Sequence, residues 1–94
     1  MIVYRDTFTT RLGTEFKFAF DSNNGNFEIL ILEQPGYGDR PDDAHSTHRL
    51  QTDDGFKICW TGTMRNLAEA KRIAGFWSDA TEKYILTGEP FPTS

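Results

Sequence analysis

The sequence predicts an α+β fold: an antiparallel sheet of four to five strands with one long C-terminal helix packed on one face. Two patterns indicate this fold class. Segments in the first two thirds of the chain alternate apolar and polar side chains, which is typical of strands. Residues 67–86 instead repeat apolar side chains every three or four positions, which is typical of an amphipathic helix. No repeat or linker divides the 94 residues, so a single domain is expected.

The first predicted hairpin joins a strand at about residues 15–21 to a strand at about 26–33. Asn24-Gly25 lies between them, and this dipeptide favours a two-residue turn because both residues tolerate a positive φ. That turn sets the register and predicts one apolar side that faces the core. The cross-strand pairs predicted on this side are Phe18 with Ile31 and Phe20 with Ile29.

A second hairpin is predicted from strands at about residues 47–52 and 56–61. The pattern favours Asp53-Asp54-Gly55 as a three-residue turn that ends on a left-handed glycine. The pairs in this register are Leu50 with Ile58 and His48 with Trp60. A two-residue turn at Asp54-Gly55 would instead pair polar residues with apolar ones, namely Arg49 with Trp60 and Gln51 with Ile58.

The N-terminal segment, about residues 2–11, is predicted to add a further strand. It is rich in the β-branched and aromatic residues that strands favour. Gly13-Thr14 then supplies a turn into the strand that begins at residue 15.

The helix predicted over residues 67–86 has signals at both of its ends. Asn66 is a good N-cap, and Glu69 follows three residues later as in a capping box. Thr87-Gly88 is a stop signal, because glycine readily adopts the left-handed cap conformation. Gly75 weakens the middle of the helix, and we expect it to permit a close approach to the sheet. The predicted apolar stripe consists of Leu67, Ala70, Ile73, Ala74, Trp77, Ala80 and Tyr84.

Composition and charge exclude several classes of protein. The chain has 10 Lys and Arg against 14 Asp and Glu, and this net charge of -4 disfavours binding to a nucleic-acid backbone. No apolar run approaches the roughly 20 residues of a membrane helix. The first residues do not resemble a secretory signal, so a cytoplasmic location is expected. With Cys59 as the single cysteine, neither an internal disulfide nor an all-cysteine zinc site is predicted, and no cofactor is expected.

A long loop over residues 34–46 is the segment in which the sequence favours a functional site. It has no apolar periodicity, and structureless loops longer than about 12–15 residues are usually functional or disordered. A flexible acidic connection with no function is the alternative. The candidate binding residues in this loop and just after it are Tyr37, Asp39, Arg40, Asp42, His45, His48 and Arg49.

The two histidines of the chain raise the question of a metal site. His45 and His48 lie three residues apart, and in a strand such residues point to opposite faces. We therefore expect His48 to be a core residue above Trp60, and we predict no metal site. Ser46 lies beside both histidines without the glycine pattern of a nucleophile turn, so no catalytic residue is predicted.

The apolar residues left outside the predicted core favour a binding function. Leu30 and Leu32 face away from the helix, and Phe76 lies off the helix stripe, although Phe91 can fold back over Phe76. A contiguous apolar patch usually marks an interface. The sequence therefore predicts a non-catalytic binding module that contacts a protein partner or a second copy of itself. The alternative is an enzyme or a metal-dependent site built from residues 34–49.

Overall fold

One five-stranded antiparallel sheet and a long C-terminal helix make up the computed structural model, which describes residues 1–23 and 25–92. The predicted fold class is confirmed. Neither helix in the described part of the chain has the length and hydropathy of a membrane span. The strand order is β1-β2-β3-β5-β4. The elements are β1 (Ile2–Thr9), β2 (Glu15–Asn23), β3 (Asn26–Glu33), α1 (Ala44–Thr47), β4 (Arg49–Thr52), β5 (Gly55–Ile58) and α2 (Leu67–Thr87).

The central hairpin of β2 and β3 has the predicted register. Phe18 pairs with Ile31, and Phe20 pairs with Ile29. Asn23 pairs with Asn26, and Asn24 of the predicted turn lies outside the described residues. We call the face that carries the phenylalanines the helix-side face and the other face the open face.

β1 ends two residues earlier than predicted, because the chain turns at Thr10. The Thr10 N–H donates to the Thr14 carbonyl oxygen at 2.9 Å, and the Gly13 N–H donates to the Thr10 carbonyl oxygen at 2.9 Å. Gly13 has a φ of 88°, which glycine adopts without steric cost. The predicted turn at Gly13-Thr14 therefore begins earlier in the chain.

The turn between β4 and β5 differs from both registers considered above. Thr52 pairs with Gly55, so the turn consists of Asp53 and Asp54 alone. The Thr52 hydroxyl stabilises it by donating to the Gly55 carbonyl oxygen at 2.9 Å and accepting the Asp54 N–H at 3.2 Å. A side-chain hydrogen bond therefore favours the shorter turn, and the predicted three-residue turn is wrong.

The observed register moves β4 by one residue relative to the prediction. Arg49, rather than Leu50, lies opposite Ile58 on the helix-side face. Leu50 lies opposite Lys57 on the open face. The predicted pair of His48 with Trp60 does not form, because β4 begins at Arg49 and β5 ends at Ile58.

The core lies between the helix-side face and α2. Trp77 packs edge-on against the rings of Phe16 and Phe18, at centroid distances of 5.9 and 6.1 Å. Gly75 permits the expected close approach, because a Cβ at this position would lie 3.1 Å from the Phe8 ring. The buried residues of α2 include most of the predicted stripe together with Ser78 and Thr81.

Both ends of α2 are capped as predicted. The Asn66 side chain accepts the Glu69 N–H at 2.9 Å, and the helix begins at Leu67. Gly88 adopts the left-handed conformation, and its N–H donates to the Tyr84 carbonyl oxygen at 2.8 Å.

The short helix α1 shortens the predicted loop to residues 34–43. Asp43 is its N-cap and accepts the Ser46 N–H at 3.2 Å. His48 ends the helix in the left-handed conformation, with φ 52° and ψ 40°. Residues 47 and 48 therefore do not belong to the strand predicted over 47–52.

Candidate functional site

Arg49 and Tyr37, two of the predicted binding residues, lie in contact on the helix-side face. The Cζ atom of Arg49 lies 3.7 Å from the ring centroid of Phe56 and 4.8 Å from that of Tyr37. Its Nη1 donates to the Gln34 Oε1 at 3.0 Å. The guanidinium is thus held by cation–π contacts and one hydrogen bond to a neutral amide.

The charge of Arg49 has no acidic partner in the described residues. None of the ion pairs among residues 1–23 and 25–92 includes Arg49. Its Nε atom is buried and has no hydrogen-bond partner there. A half-buried cation without a counter-ion is unusual, because burial weakens its hydration.

Tyr37 is buried, and its hydroxyl also has no hydrogen-bond partner among the described residues. Burial raises the pKa of Tyr37 above its ordinary value of 10.0, and this effect outweighs the Arg49 charge, which lowers it. Its ring also packs against Tyr84 at a centroid distance of 6.1 Å. The residue therefore acts as a core side chain that covers β4 and β5 beside the region where α2 packs.

Arg40 binds the C-terminal end of α2. Its Nε donates to the Ile85 carbonyl oxygen at 3.3 Å, and its Nη1 would lie 2.8 Å from a Cβ at Gly88. A cation is favourable at this end of a helix. The Tyr84 hydroxyl donates to the Pro41 carbonyl oxygen at 2.7 Å, so the segment is anchored to α2 at two points.

Three aspartates of the same region lie at the surface. Asp39 and Asp42, both predicted binding residues, are exposed. Hydrogen bonds from Ser46 lower the pKa of the Asp43 carboxyl below its ordinary value of 3.8. Asp43 therefore has a structural role as the N-cap of α1.

His45 and His48 line one cleft of about 330 Å³, together with Cys59 and Tyr84. The expectation that strand geometry separates the two histidines is wrong, because both belong to α1 and its C-cap. The His48 ring stacks on Phe91 at a centroid distance of 4.6 Å and an angle of 10°. Within residues 1–23 and 25–92, no group of three or more His, Cys, Asp or Glu side chains is arranged to hold a metal ion.

The open face carries a row of residues that crosses all five strands. The registers align, in order, Arg5, Ala19, Leu30, Lys57 and Leu50. Leu30 is half-buried in this row, whereas the side chain of Leu50 is 41% exposed. Leu32 is the extra residue of a β-bulge, is 54% exposed, and lines a shallow depression with Arg5 and Lys17.

Phe76 does not belong to the same surface as Leu30 and Leu32. It is 47% exposed on the outer side of α2, where it lines a small cleft with Pro90 and Pro92. Phe91 does not cover it, because the Phe91 ring packs against His48, Trp77 and Tyr84 instead. The three predicted interface residues therefore lie on two separate surfaces.

Sequence reasoning missed the partners of Arg49. Gln34 and Phe56 meet the guanidinium only in the observed register, and the predicted register placed Arg49 on the other face. The feature of the sequence that indicates this register is Thr52, because its hydroxyl can stabilise a short turn by accepting a hydrogen bond from the backbone N–H two residues ahead.

Comparison of the chain with protein-family models, with curated proteins and with solved structures finds no match. Function is therefore inferred from the geometry, charge and exposure of the residues themselves.

Proposed function

We propose that this protein acts through protein–protein contact, and that the open face of its sheet binds a second copy of the chain. The observation that carries the proposal is a set of three leucines on this face, Leu30, Leu32 and Leu50, with Lys57 between Leu30 and Leu50. Two of these side chains are more than 40% exposed, since Leu32 is 54% and Leu50 is 41% exposed. Exposed aliphatic residues that share one face favour burial in an interface.

The charges around this group favour a second copy as the occupant. The open face has three cationic and four anionic side chains, so charges of both signs can face each other when two copies meet. Two ion pairs form within it, Lys17 with Glu33 at 3.3 Å and Lys57 with Glu28 at 3.2 Å. The seven charged residues are Arg5, Lys17, Lys57, Glu15, Asp21, Glu28 and Glu33.

The size of the face supports a weak dimer. Five strands about 4.8 Å apart, with two of them short, give a face of about 500 Å². A pair of such faces buries about 1,000 Å², which is near the lower limit for a specific interface. We therefore expect a dissociation constant in the micromolar range or weaker.

Sedimentation equilibrium over a wide concentration range tests the proposal. The wild type is expected to dimerise, and the double variant Leu32→Lys/Leu50→Lys is expected to remain folded and monomeric, because it places four extra charges in the contact of two copies. Leu86→Lys is the matched control, since Leu86 is exposed on α2. A monomeric wild type at the highest concentration would overturn the proposal, and so would equal loss of dimer in the control.

A second double variant, Leu30→Lys/Leu32→Lys, examines the centre of the face. Leu30 is half-buried, so urea unfolding must first establish that this variant folds. If it folds, it is expected to be monomeric. If it dimerises like the wild type, the dimer does not use this face.

The segment 34–49 has less support as an enzyme or metal site. Tyr37 and Arg40 anchor it to the core and to the end of α2, and Asp43 caps α1. The free thiol of Cys59, which has no disulfide partner in the described residues, supports placing the module in a reducing compartment, and we propose the cytoplasm.

A further inference from the structure

The guanidinium of Arg49 is held in a fixed plane at the edge of the sheet. The Phe56 and Tyr37 rings lie 3.7 and 4.8 Å from its Cζ, and the Gln34 Oε1 accepts from Nη1 at 3.0 Å. These three contacts limit the rotation of a side chain that otherwise has large rotamer entropy. A fixed planar fork is the arrangement that recognises a carboxylate through two parallel hydrogen bonds.

Contacts within the protein leave this cation incompletely satisfied. A guanidinium has five N–H donors; Arg49 uses one on Nη1, and its Nε is buried, so the remaining donors of Nη1 and Nη2 are the ones that a ligand can reach. None of the ion pairs in the described part of the chain involves it. Arg49 is nevertheless half-buried, so an anion that reaches it meets a weakly hydrated charge beside two aromatic rings.

The surrounding charges select against a polyanion. Asp39 and Asp42 are exposed on the segment that carries Tyr37, and Asp53 and Asp54 form the turn that ends β4. The whole chain has a charge of -4. A phosphate chain or nucleic acid would be repelled by these carboxylates, whereas a single carboxylate carries only one charge.

We propose that Arg49 is a binding site for one carboxylate group, carried by the C-terminus of a peptide or by a small organic acid. This inference goes beyond the proposed dimer, because Arg49 lies on the helix-side face and the dimer uses the open face. The carboxylate site and the dimer can therefore be tested independently, and one proposal can fail without the other.

A titration monitored by backbone amide NMR tests the site. The probes are sodium acetate and the peptide acetyl-Ala-Ala-Ala with a free C-terminus, with the same peptide amidated as the control. Saturable shifts of the Gln34 and Phe56 amides are expected with the two carboxylates, at constant ionic strength. If the peptide with a free C-terminus binds at least tenfold more tightly than acetate, the site is assigned to peptide C-termini. If the two ligands bind equally, it is assigned to small acids.

Two variants of Arg49 make the test specific. Arg49→Met keeps an extended apolar stem between the two rings and is expected to reduce affinity at least tenfold, with the dimer unchanged. Arg49→Lys keeps the charge but loses the planar fork, and is expected to bind several-fold more weakly. Arg72→Met is the matched control, because Arg72 is exposed on α2. The proposal would be overturned if the amidated peptide caused the same shifts as the peptide with a free C-terminus. It would also be overturned if Arg49→Met and Arg49→Lys bound the carboxylates as tightly as the wild type does.

Discussion

The indole nitrogen of Trp77 donates to the carbonyl oxygen of Thr47 at 3.1 Å, and so joins α2 to the last residue of α1. The same N–H lies 3.2 Å from the carbonyl oxygen of His48. Trp77 thus satisfies backbone acceptors at the point where α1 gives way to β4, while its ring packs on the phenylalanines of β2. One side chain therefore holds the helix, the sheet and α1 together.

Replacing Trp77 is expected to cause a large loss of stability. Trp77→Ala should lower the free energy of unfolding by about 3–5 kcal/mol, because it leaves a cavity and removes the indole donor. Trp77→Phe keeps much of the apolar volume and should cost less. Urea unfolding measures both, with Phe76→Ala as a control at the neighbouring exposed position. A cost below about 1 kcal/mol for Trp77→Ala would contradict its place in the core.

The two histidines are expected to differ in their effect on stability. His48→Ala should lower the free energy of unfolding by about 1 kcal/mol, since it removes the stack on Phe91. His45→Ala should change it by less than about 0.5 kcal/mol, because His45 is exposed. Equimolar zinc should leave the melting temperature of the wild type unchanged. A zinc-dependent rise that requires both histidines would instead establish a metal site.

Tyr37→Phe is expected to change how stability depends on alkaline pH. Because burial raises the pKa of Tyr37 above 10.0, the fold retains its hydroxyl proton at pH values where the unfolded chain has lost it. The resulting contribution to stability is fully present below the pKa of Tyr37 in the unfolded chain, and it is lost as the pH rises through the pKa of Tyr37 in the folded protein. The variant should therefore lose less stability than the wild type above pH 10.

At neutral pH the same variant should be as stable as the wild type or more stable. The buried hydroxyl has no hydrogen-bond partner in the described residues, and an unsatisfied polar group costs about 1–3 kcal/mol. Urea unfolding at several pH values measures both effects, and Tyr4→Phe is the control because Tyr4 is 40% exposed. A destabilisation above about 1 kcal/mol at neutral pH would show that the hydroxyl is bonded.

Asp6 is expected to prevent β1 from pairing with another strand. β1 is an edge strand, and the Asp6 Oδ1 accepts the Thr7 N–H at 2.9 Å, which occupies a donor that an added strand would need. The Asp6 Oδ2 also lies 3.7 Å from the Lys71 Nζ. Asp6→Ala should therefore increase the population of species larger than a dimer, as measured by sedimentation velocity.

Two control variants separate the charge of Asp6 from its hydrogen bond. Asp6→Asn keeps an acceptor oxygen and should show an intermediate effect. Asp39→Ala removes an equal charge from an exposed loop position and should leave the distribution unchanged. The same increase in Asp39→Ala would mean that net charge alone controls association.

The features that the sequence predicted correctly depend on residues close together in the chain. The register of Phe18 with Ile31 follows from the short connection between Asn23 and Asn26 and from strict alternation over a few positions. The ends of α2 follow from Asn66 and Gly88, which satisfy backbone groups within the adjacent turn of helix. For such features the interacting groups are neighbours, so the local pattern contains the physical cause.

The contacts of Arg49 and His48 join residues that are distant in the chain, so only the tertiary structure brings them together: Arg49 contacts Tyr37, and His48 stacks on Phe91. The face on which Arg49 lies depends on the short turn that the local hydrogen bonds of Thr52 stabilise, which the alternation pattern did not predict. A one-residue shift exchanges the two faces of a strand, so a single side-chain hydrogen bond changes which residues can form a site.

The segment over residues 34–43 shows the same dependence on distant contacts. It is held by the bonds of Tyr84 to Pro41 and of Arg40 to Ile85, which join residues more than 40 positions apart. Composition alone predicts that such a segment is a loop. Its packing against the end of α2 and the strands β4 and β5 exists only once the helix lies across the sheet, because the atoms that anchor it belong to the helix.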